Sequence, residues 1–487
     1  MRTQFQILSK EEREQIYAGA LQVLRETGIL IKNENAMKIL KDGGVEFKQD
    51  TQIAHFTEEL VRDCIRKVPN SVKLYDRQGT LTMTLGGDNV HYWPGSTAMT
   101  FLDSDGTIRE PMTDDLIRFI QLTDELPFIH AQSTSIVPSD IDERLADRYR
   151  LYLVLKYAKK PVDTGAFTTH GVKDMKDMLV AVREAYGEDL SKKPLAVFDV
   201  CPSPPLMWSE QTAQHLIDCA HFDIPAEYVS MPLAGATGPA SIAGALVQHT
   251  AETLSGVVLS QLTKTGAPVI WGGSPAVFDQ REGTTPMGAL ETMMIDCAYA
   301  EIGKSLGSGF PTHAYMGLSD AKTIDAQTGF EAGLGIVLAT LAGINAVAGP
   351  GMLNFESCQS LEKLVIDNEI CGMAQRFVKG VEVTEESLAA SLFKQVGPHG
   401  DFLTTAHTLK WFRRDQFLPS EIIDRKDLQQ WNQEGALTIT ERAKKQVTEI
   451  LATHIHEPLP DECDKKLKQI MRSAAERVGV SSLPHDL

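Results

Sequence analysis

Aromatic and acidic residues recur within or close after short apolar segments in the middle of the chain. The aromatic residues in these positions are Phe198, Trp271, Tyr315 and Phe355, and the acidic ones are Asp199, Glu227 and Asp320. Aromatic faces beside a carboxylate hold quaternary ammonium groups through cation–π attraction. The pattern therefore indicates a small-cation site, although packing in the core is the competing interpretation for any single aromatic residue.

Two further features point to a bound carboxylate. A loop of small residues that contains Gly235 and Gly238 runs into a helix predicted from Ala240, and free backbone N–H groups at a helix start bind anions. A tight loop that simply packs closely is the alternative. His313 follows another apolar segment, where an imidazole can bond a substrate carboxylate or lie as a satisfied interior histidine.

The elements that must position these residues alternate between short strands and long helices, which predicts parallel βαβ units. Seven strands and their helices fit an α/β fold, a (β/α)8 TIM barrel with one strand unassigned. A doubly wound open sheet is the alternative, although no Gly-x-Gly-x-x-Gly follows the first strand. The predicted strands are 129–137, 161–165, 195–200, 227–232, 269–272, 312–316 and 345–349.

Regions of different character flank this repeated pattern. Residues 1–125 are predicted to form an N-terminal extension of helices and a small β-meander, and its first helix follows a capping box of Ser9 and Glu12. The catalytic barrel is assigned to residues 126–380. Residues 381–487 are assigned to a C-terminal helical extension that packs on the barrel.

Composition excludes several classes of function. A net charge of −18 argues against nucleic-acid and anionic-membrane partners and favours cationic or zwitterionic ligands. Seven widely spaced cysteines and an N-terminus without an apolar signal core indicate a cytoplasmic protein with reduced thiols. Neither Cys-x-x-Cys nor His-Glu-x-x-His occurs, so we expect no metal site.

Several short stretches, taken in their order and spacing, resemble the trimethylamine methyltransferase family over nearly the whole chain. The likeness is to the members that lack pyrrolysine and demethylate betaines. The matching stretches are 91–96, 235–240, 266–270, 319–322, 325–331, 361–369 and 406–408.

The resemblance implies a (β/α) barrel and a methyl transfer to Co(I) of a separate corrinoid-binding protein. It implies no cofactor held tightly by this chain. Because only standard residues occur, a quaternary amine is expected as the methyl donor, with glycine betaine as the best guess. Its leaving group is a neutral tertiary amine, so neither a Lewis acid nor a catalytic side chain is expected. A homo-oligomer is also expected.

Two other functions stay open at this point. One is a barrel lyase or hydrolase for a small carboxylic acid, with Asp320 and Lys322 as acid and base. The other is a non-catalytic osmolyte-binding protein. Methyl transfer without proton transfer predicts a nearly flat pH profile across neutrality, which an acid–base mechanism would not give.

Overall fold

The chain forms a mixed α/β protein in which the strands of its middle part are parallel. A computed structural model describes residues 5–484. Within that range no helix is both long enough and apolar enough to span a membrane. The strands are β1 (Ile29–Ile31), β2 (Glu46–Phe47), β3 (Ile53–His55), β4 (Val72–Tyr75), β5 (Leu81–Leu85), β6 (His91–Trp93), β7 (Thr100–Leu102), β8 (Ile108–Arg109), β9 (Gln132–Ser133), β10 (Val162–Thr164), β11 (Ala196–Val200), β12 (Met207–Trp208), β13 (Ala226–Tyr228), β14 (Leu233–Ala234), β15 (Val269–Ile270), β16 (Ala276–Val277), β17 (His313–Tyr315), β18 (Ala346–Ala348), β19 (Met352–Leu353) and β20 (Cys358–Gln359).

Helices follow most of the parallel strands and cover them from outside. Many begin at a residue whose side chain accepts a bond from the first turn, as Ser209, Ser241 and Ser360 do. The helices are α1 (Lys10–Gln22), α2 (Glu34–Asp42), α3 (Glu58–Lys67), α4 (Thr113–Glu125), α5 (Ala146–Tyr157), α6 (Gly171–Ala185), α7 (Glu210–Phe222), α8 (Ile242–Thr263), α9 (Leu290–Ser305), α10 (Ala326–Leu341), α11 (Leu361–Val378), α12 (Glu385–Leu388), α13 (Ala390–Val396), α14 (Ala406–Asp415), α15 (Leu428–Gln433), α16 (Ile439–Thr453) and α17 (Asp461–Val478).

Two parallel sheets carry the repeated pattern. The larger has the order β15-β13-β11-β10-β9, and the smaller has the order β17-β18-β6. All seven strands predicted in this region are therefore confirmed, each shorter than its apolar segment. Backbone hydrogen bonds join the sheets at both edges, from Trp271 N to Pro311 O (2.8 Å) and from His130 N to Tyr92 O (2.7 Å).

Side chains alternate between the two faces of these sheets, so each strand contributes to two environments. One face, called here the inner face, collects Trp93, Val197, Val229, Ile270 and Tyr315 in one apolar cluster. The opposite face packs against the helices and belongs to the main core. Strands buried on both faces read as nearly continuous apolar runs, so a polar residue on the inner face stands out.

The assignment of residues 90–93 to an N-terminal meander is wrong. That segment contains β6, which pairs in parallel with β18 in the register His91 to Ala346. The other strands of the predicted meander form two separate units. These are the β4–β5 hairpin and the antiparallel pair β7–β8, which lies in one sheet with β19 and β20. A short strand of aromatic and polar residues reads as an edge hairpin because sequence pattern carries no information on distant pairing.

The C-terminal region also departs from expectation in detail. Within the predicted helical extension, residues 385–396 form two short helices, α12 and α13, rather than one, because Ala389 between them adopts a left-handed conformation with φ of 50°. Helix α17, whose residues were not assigned to an element, packs on α5 and α6. The capping box of Ser9 and Glu12 is confirmed.

Helix α10 offers a matched pair of glycine substitutions. A Cβ at Gly335 would overlap the carbonyl oxygen of Met316, whereas one at Gly333 would meet nothing within 4 Å. We expect Gly335→Ala to lower the free energy of unfolding by about 2 kcal/mol or more, because backbone cannot yield as a side chain does. Gly333→Ala should raise it by about 0.5–1 kcal/mol through helix propensity. Urea unfolding measures both, and equal effects would contradict this packing.

Candidate active site

Three carboxylates meet on the inner face of the larger parallel sheet. Asp199 on β11 pairs in register with Glu227 on β13, and Asp163 lies on the neighbouring strand β10. One oxygen from each lies within 4.8 Å of the others. This spacing would also suit a cation, so the expected absence of a metal site stays a prediction. We call these three residues the acidic cluster.

Burial makes the acidic cluster hard to ionise. Asp163 and Glu227 are at most 1% exposed, and their carboxylate oxygens have no hydrogen-bond partner among the described residues. Burial first, and then repulsion from its neighbours Asp163 and Asp199, raises the pKa of Glu227 well above its usual range. Burial likewise raises the pKa of Asp199 to about 7. Like charges this close share protons rather than ionise together.

One guanidinium offsets part of this charge. Arg150, at the start of α5, is fully buried and donates from Nη1 to the carbonyl of Thr134 at 2.6 Å. Burial lowers its pKa to about 10, although the carboxylates of Asp147, Asp199 and Asp163 act against that shift. Arg150 therefore stays charged at neutral pH and stabilises an ionised carboxylate in the acidic cluster.

His313 lies against the acidic cluster without forming an ion pair. Its Nε2 is 3.2 Å from Oε1 of Glu227 but is not aligned for a hydrogen bond. Burial lowers the pKa of His313 to about 3, so the ring is neutral. The ring also stacks with Trp93, with centroids 6.2 Å apart. A neutral imidazole next to a carboxyl group is a poor receptor for a substrate carboxylate.

A cavity of about 430 Å³ opens above the acidic cluster, where the parallel strands end. Ser96 in its wall lies within hydrogen-bonding distance of Asp199 Oδ2 (3.5 Å) and the Tyr315 hydroxyl (3.3 Å). Elsewhere in the wall, Ser274 donates to both oxygens of Glu356, at 3.1 and 3.3 Å. The lining residues are Ser96, Thr97, Gly165, Ala166, Phe167, Asp199, Val200, Cys201, Gln211, Thr212, His215, Val229, Met231, Ser274, Tyr315 and Glu356.

Glu356 reaches this cavity through a strained loop between β19 and β20. Asn354, Phe355 and Glu356 all have left-handed backbone, with φ of 50°, 55° and 67°. Each such residue costs on the order of 1 kcal/mol, and strain of this kind concentrates at functional sites. Burial raises the pKa of Glu356 to about 7, partly opposed by its bond from Ser274. The cavity thus has two carboxyl groups that titrate near neutrality.

The structure brings four of the ten predicted site residues together. Asp199, Glu227, His313 and Tyr315 share the inner face, and two of them, Asp199 and Tyr315, line the cavity. Phe198 and Trp271 lie on the opposite face. Trp271 is fully buried and donates from its indole to the carbonyl of Tyr299 at 3.0 Å. Since Phe198 is likewise packed in the helix-covered core, neither ring reaches the cavity.

The predicted glycine loop has no free N–H groups at its glycines. Gly235 donates to the carbonyl of Gly238, and Gly238 donates to that of Leu233, both at 3.0 Å. Helix α8 begins only at Ile242, behind the N-cap Ser241. The loop has the tight βα packing that was the alternative interpretation, since a Cβ at Gly238 would lie 2.9 Å from the Gln248 side chain.

Asp320 and Phe355 lie in a different pocket. The Asp320 carboxylate accepts bonds from the backbone of Met287 and Gly288, both at 2.9 Å. Lys322 donates to the Asp320 carbonyl and lies 3.8 Å from the centre of the Phe355 ring. These contacts hold the loops after β16 and β17 together. The Asp320 carboxylate is thus engaged in joining these loops, whereas the Lys322 side chain is exposed.

Sequence reasoning missed Asp163, Arg150, Phe167 and Glu356. Asp163 had a usable signal, because it stands as a single acid within a predicted apolar strand. Glu356 directly follows a residue that was proposed, but only the conformation of its loop aims it into the cavity. The role of each predicted residue in binding substrate stays a prediction.

A parallel α/β protein with a polar cavity at the carboxyl ends of its strands has the layout of an enzyme for a small molecule. Comparison with known families makes this specific. The model of the family described as "Trimethylamine methyltransferase (MTTB)" matches residues 1–479 of this chain. The chain belongs to this family of methyltransferases, which confirms the resemblance and argues against a non-catalytic binding protein.

Curated relatives align over almost their full length. A trimethylamine methyltransferase of Desulfitobacterium hafniense is 30% identical over 97% of this chain and 95% of its own. A glycine betaine methyltransferase of the same species is 29% identical over 98% of each chain. Among solved structures, the monomethylamine methyltransferase of Methanosarcina barkeri aligns with a TM-score of 0.49 at 14% identity, over 92% of this chain and 89% of that one.

The acidic cluster predicts an unusual pH dependence of stability. Because the pKa of Glu227 is raised on folding, its contribution is present below its ordinary pKa and is lost as pH rises. We expect Glu227→Gln to raise the free energy of unfolding by about 1–3 kcal/mol at pH 8, and by less at pH 5. Denaturant unfolding at both pH values measures this. The exposed Glu46→Gln variant is the control, and a gain in stability over the unaltered protein that is no larger at pH 8 than at pH 5 would contradict the expectation.

Proposed function

We propose that this chain transfers a methyl group from a quaternary amine to Co(I) of a corrinoid carried by a separate protein. The single observation that supports it best is the cavity with Asp199, Glu356 and Tyr315 in its wall, within a chain of this family. The relative named glycine betaine methyltransferase supports a quaternary donor. Glycine betaine, the donor expected from the sequence, is one member of that class.

The reaction needs little from the protein in proton transfer. The electron pair of Co(I) forms the new bond to carbon, and the C–N pair leaves with a neutral tertiary amine. Orientation and exclusion of water supply the rate enhancement, a contribution of up to about 7–11 kcal/mol when fully realised. The residues of this chain bind the ammonium group and aim one methyl outward. Because the ammonium charge fades in the transition state, moderate binding serves better than a tight cage.

Carboxylates carry more of this binding than the aromatic cage expected from the sequence. Of the four predicted aromatics, Tyr315 lines the cavity, and Phe167 adds a second ring. Asp199 and Glu356 both line the cavity, where Ser96 and Ser274 are within hydrogen-bonding distance of them. A cation beside two half-buried carboxylates gains more Coulomb energy than one in water.

We also propose an architecture, a source of the corrinoid, a cellular location and an oligomeric state. The eight parallel strands close into a (β/α)8 barrel, for which the bonds at both sheet junctions argue. The corrinoid is held by the partner, and this chain binds no cofactor tightly. The protein works in the cytoplasm and as a homo-oligomer. None of these affects the assay of methyl transfer with free cobalamin.

The direct test combines the protein with free Co(I) cobalamin and a panel of quaternary amines, and follows the cobalt spectrum. We expect conversion to methylated Co(III) with at least one quaternary amine and none with trimethylamine. Asp199→Asn should lower kcat/KM about tenfold or more through loss of a buried charge. Glu301→Gln, which alters a buried glutamate that holds the N-terminal segment (Ile7 N, 2.7 Å), should not. If none of the quaternary amines in the panel gives methylated cobalt, the proposal is overturned.

The pKa values near 7 of Asp199 and Glu356 alter the flat pH profile expected from the sequence. Each carboxyl must lose its proton to attract the cation, so affinity falls as pH drops below 7. We expect kcat/KM to rise by up to about tenfold per pH unit for each proton lost between pH 6 and 8. The kcat of saturated enzyme should stay nearly constant. A kcat/KM that falls with pH in this range would contradict the assignment.

A further inference from the structure

We propose that the quaternary amine taken by this cavity carries no carboxylate, so that the substituent beyond the ammonium group is neutral. This inference rests on the proposed methyl transfer and narrows its donor. The reason is the charge balance of the wall. Asp199 and Glu356 are its charged groups, and none of its lining residues within the described range is lysine or arginine. Such a wall attracts a cation and repels the carboxylate of a betaine.

Arg150 is a guanidinium behind this wall: its Nη1 donates to the Thr134 carbonyl, whereas Nε and Nη2 have no hydrogen-bond partner among the described residues. It does not line the cavity, because the Phe167 ring lies over it at 4.5 Å and Phe167 is the residue that faces the cavity. Its charge is offset by Asp147, Asp163 and Asp199. A betaine carboxylate would have to displace Phe167 and then compete with carboxylates that are part of the fold.

The polar groups in the wall are also poorly suited to an anion. Ser274 donates a hydrogen bond to Glu356, and Ser96 lies within hydrogen-bonding distance of Asp199 and the Tyr315 hydroxyl. His215 bonds the Thr168 carbonyl through Nε2 (3.0 Å), and burial lowers its pKa, so it is neutral. These donors are already used, and an additional carboxylate would remain unpaired there at a cost.

Helix α7 reaches the cavity with its first turn, which is the remaining place for an anion. There Ser209 already accepts the N–H of Thr212 at 3.1 Å, and Glu210 adds a negative charge to the same turn. Gln211 and Thr212 therefore present neutral polar side chains at this edge. They suit a hydroxyl or another neutral group at the far end of the ligand.

The two carboxylate receptors expected from the sequence do not change this conclusion. The glycines of the Gly235–Gly238 loop use their N–H groups within the loop, and His313 is neutral and lies against Glu227. Neither lines the cavity. The cavity wall thus offers carboxylates to an ammonium group, and among the described residues that line it none is a cation that would bind a carboxylate.

Binding of unmodified ligands tests the inference without cobalamin. Isothermal titration at pH 8 compares choline and tetramethylammonium with glycine betaine on the full-length protein. We expect both simple cations to bind at least about tenfold more tightly than glycine betaine. Glycine betaine binding as tightly as choline, or more tightly, would overturn the inference. The comparison uses the unaltered chain, so it does not depend on a variant folding.

A variant then assigns the discrimination to the wall. Glu356→Gln should weaken choline binding about tenfold and narrow the ratio between choline and glycine betaine, because it removes attraction and repulsion together. Glu301→Gln should leave both affinities unchanged. A Glu356→Gln protein that loses affinity for choline and glycine betaine by the same factor would contradict charge selection.

The methyl-transfer assay separates this inference from the proposed function. If choline binds tightly but no quaternary amine methylates cobalt, the ligand class stands and the methyl transfer fails. If glycine betaine is the better methyl donor, methyl transfer stands and the present inference fails. Faster methylation from choline than from glycine betaine supports both.

Discussion

Buried negative charge is the constraint around which the centre of this protein is arranged. Parallel pairing places Asp199 beside Glu227, and Asp163 completes a set of carboxylates within 4.8 Å of one another. In a medium of low dielectric they cannot all be ionised. Arg150 offsets part of the charge from outside the cavity, and protons must satisfy the rest. The inner face of the sheet therefore carries a repulsion among carboxylates that a bound cation would lower.

This arrangement separates the two tasks of the site. The acidic cluster lies deep among the strands, whereas Glu356 comes from a loop whose backbone is left-handed at three successive residues. The strands supply a fixed negative potential, and the loop places one further carboxylate at a chosen distance from it. In the proposed function a bound cation would offset part of this negative charge, which links affinity to pH. The proposed methyl transfer would consume the charge that held the substrate, which would favour product release.

The sequence was informative where local chemistry decides the outcome. Apolar β-branched runs revealed the strands of the repeat, and acids at strand ends, such as Asp199 and Glu227, marked the inner face. The face of the sheet on which each side chain lies was harder to predict, because a shift of one residue along the strand places Phe198 rather than Asp199 on the inner face. Glu356 depends on the conformation of its loop and Arg150 on its neighbours from other elements. Strand β6 was assigned to the meander rather than to the parallel strands because its partner lies far along the chain.

That distant partner has a consequence for how the molecule is made. Strand β6 is synthesised early, yet it pairs with β18, about 250 residues later. Contacts of such separation form late, because the intervening chain must first be brought into place. On the ribosome, the N-terminal helices can order early, whereas the backbone groups of β6 that pair with β18 stay unpaired until β18 has been synthesised. Completion of the inner face, and with it the site, is thus among the last events of folding.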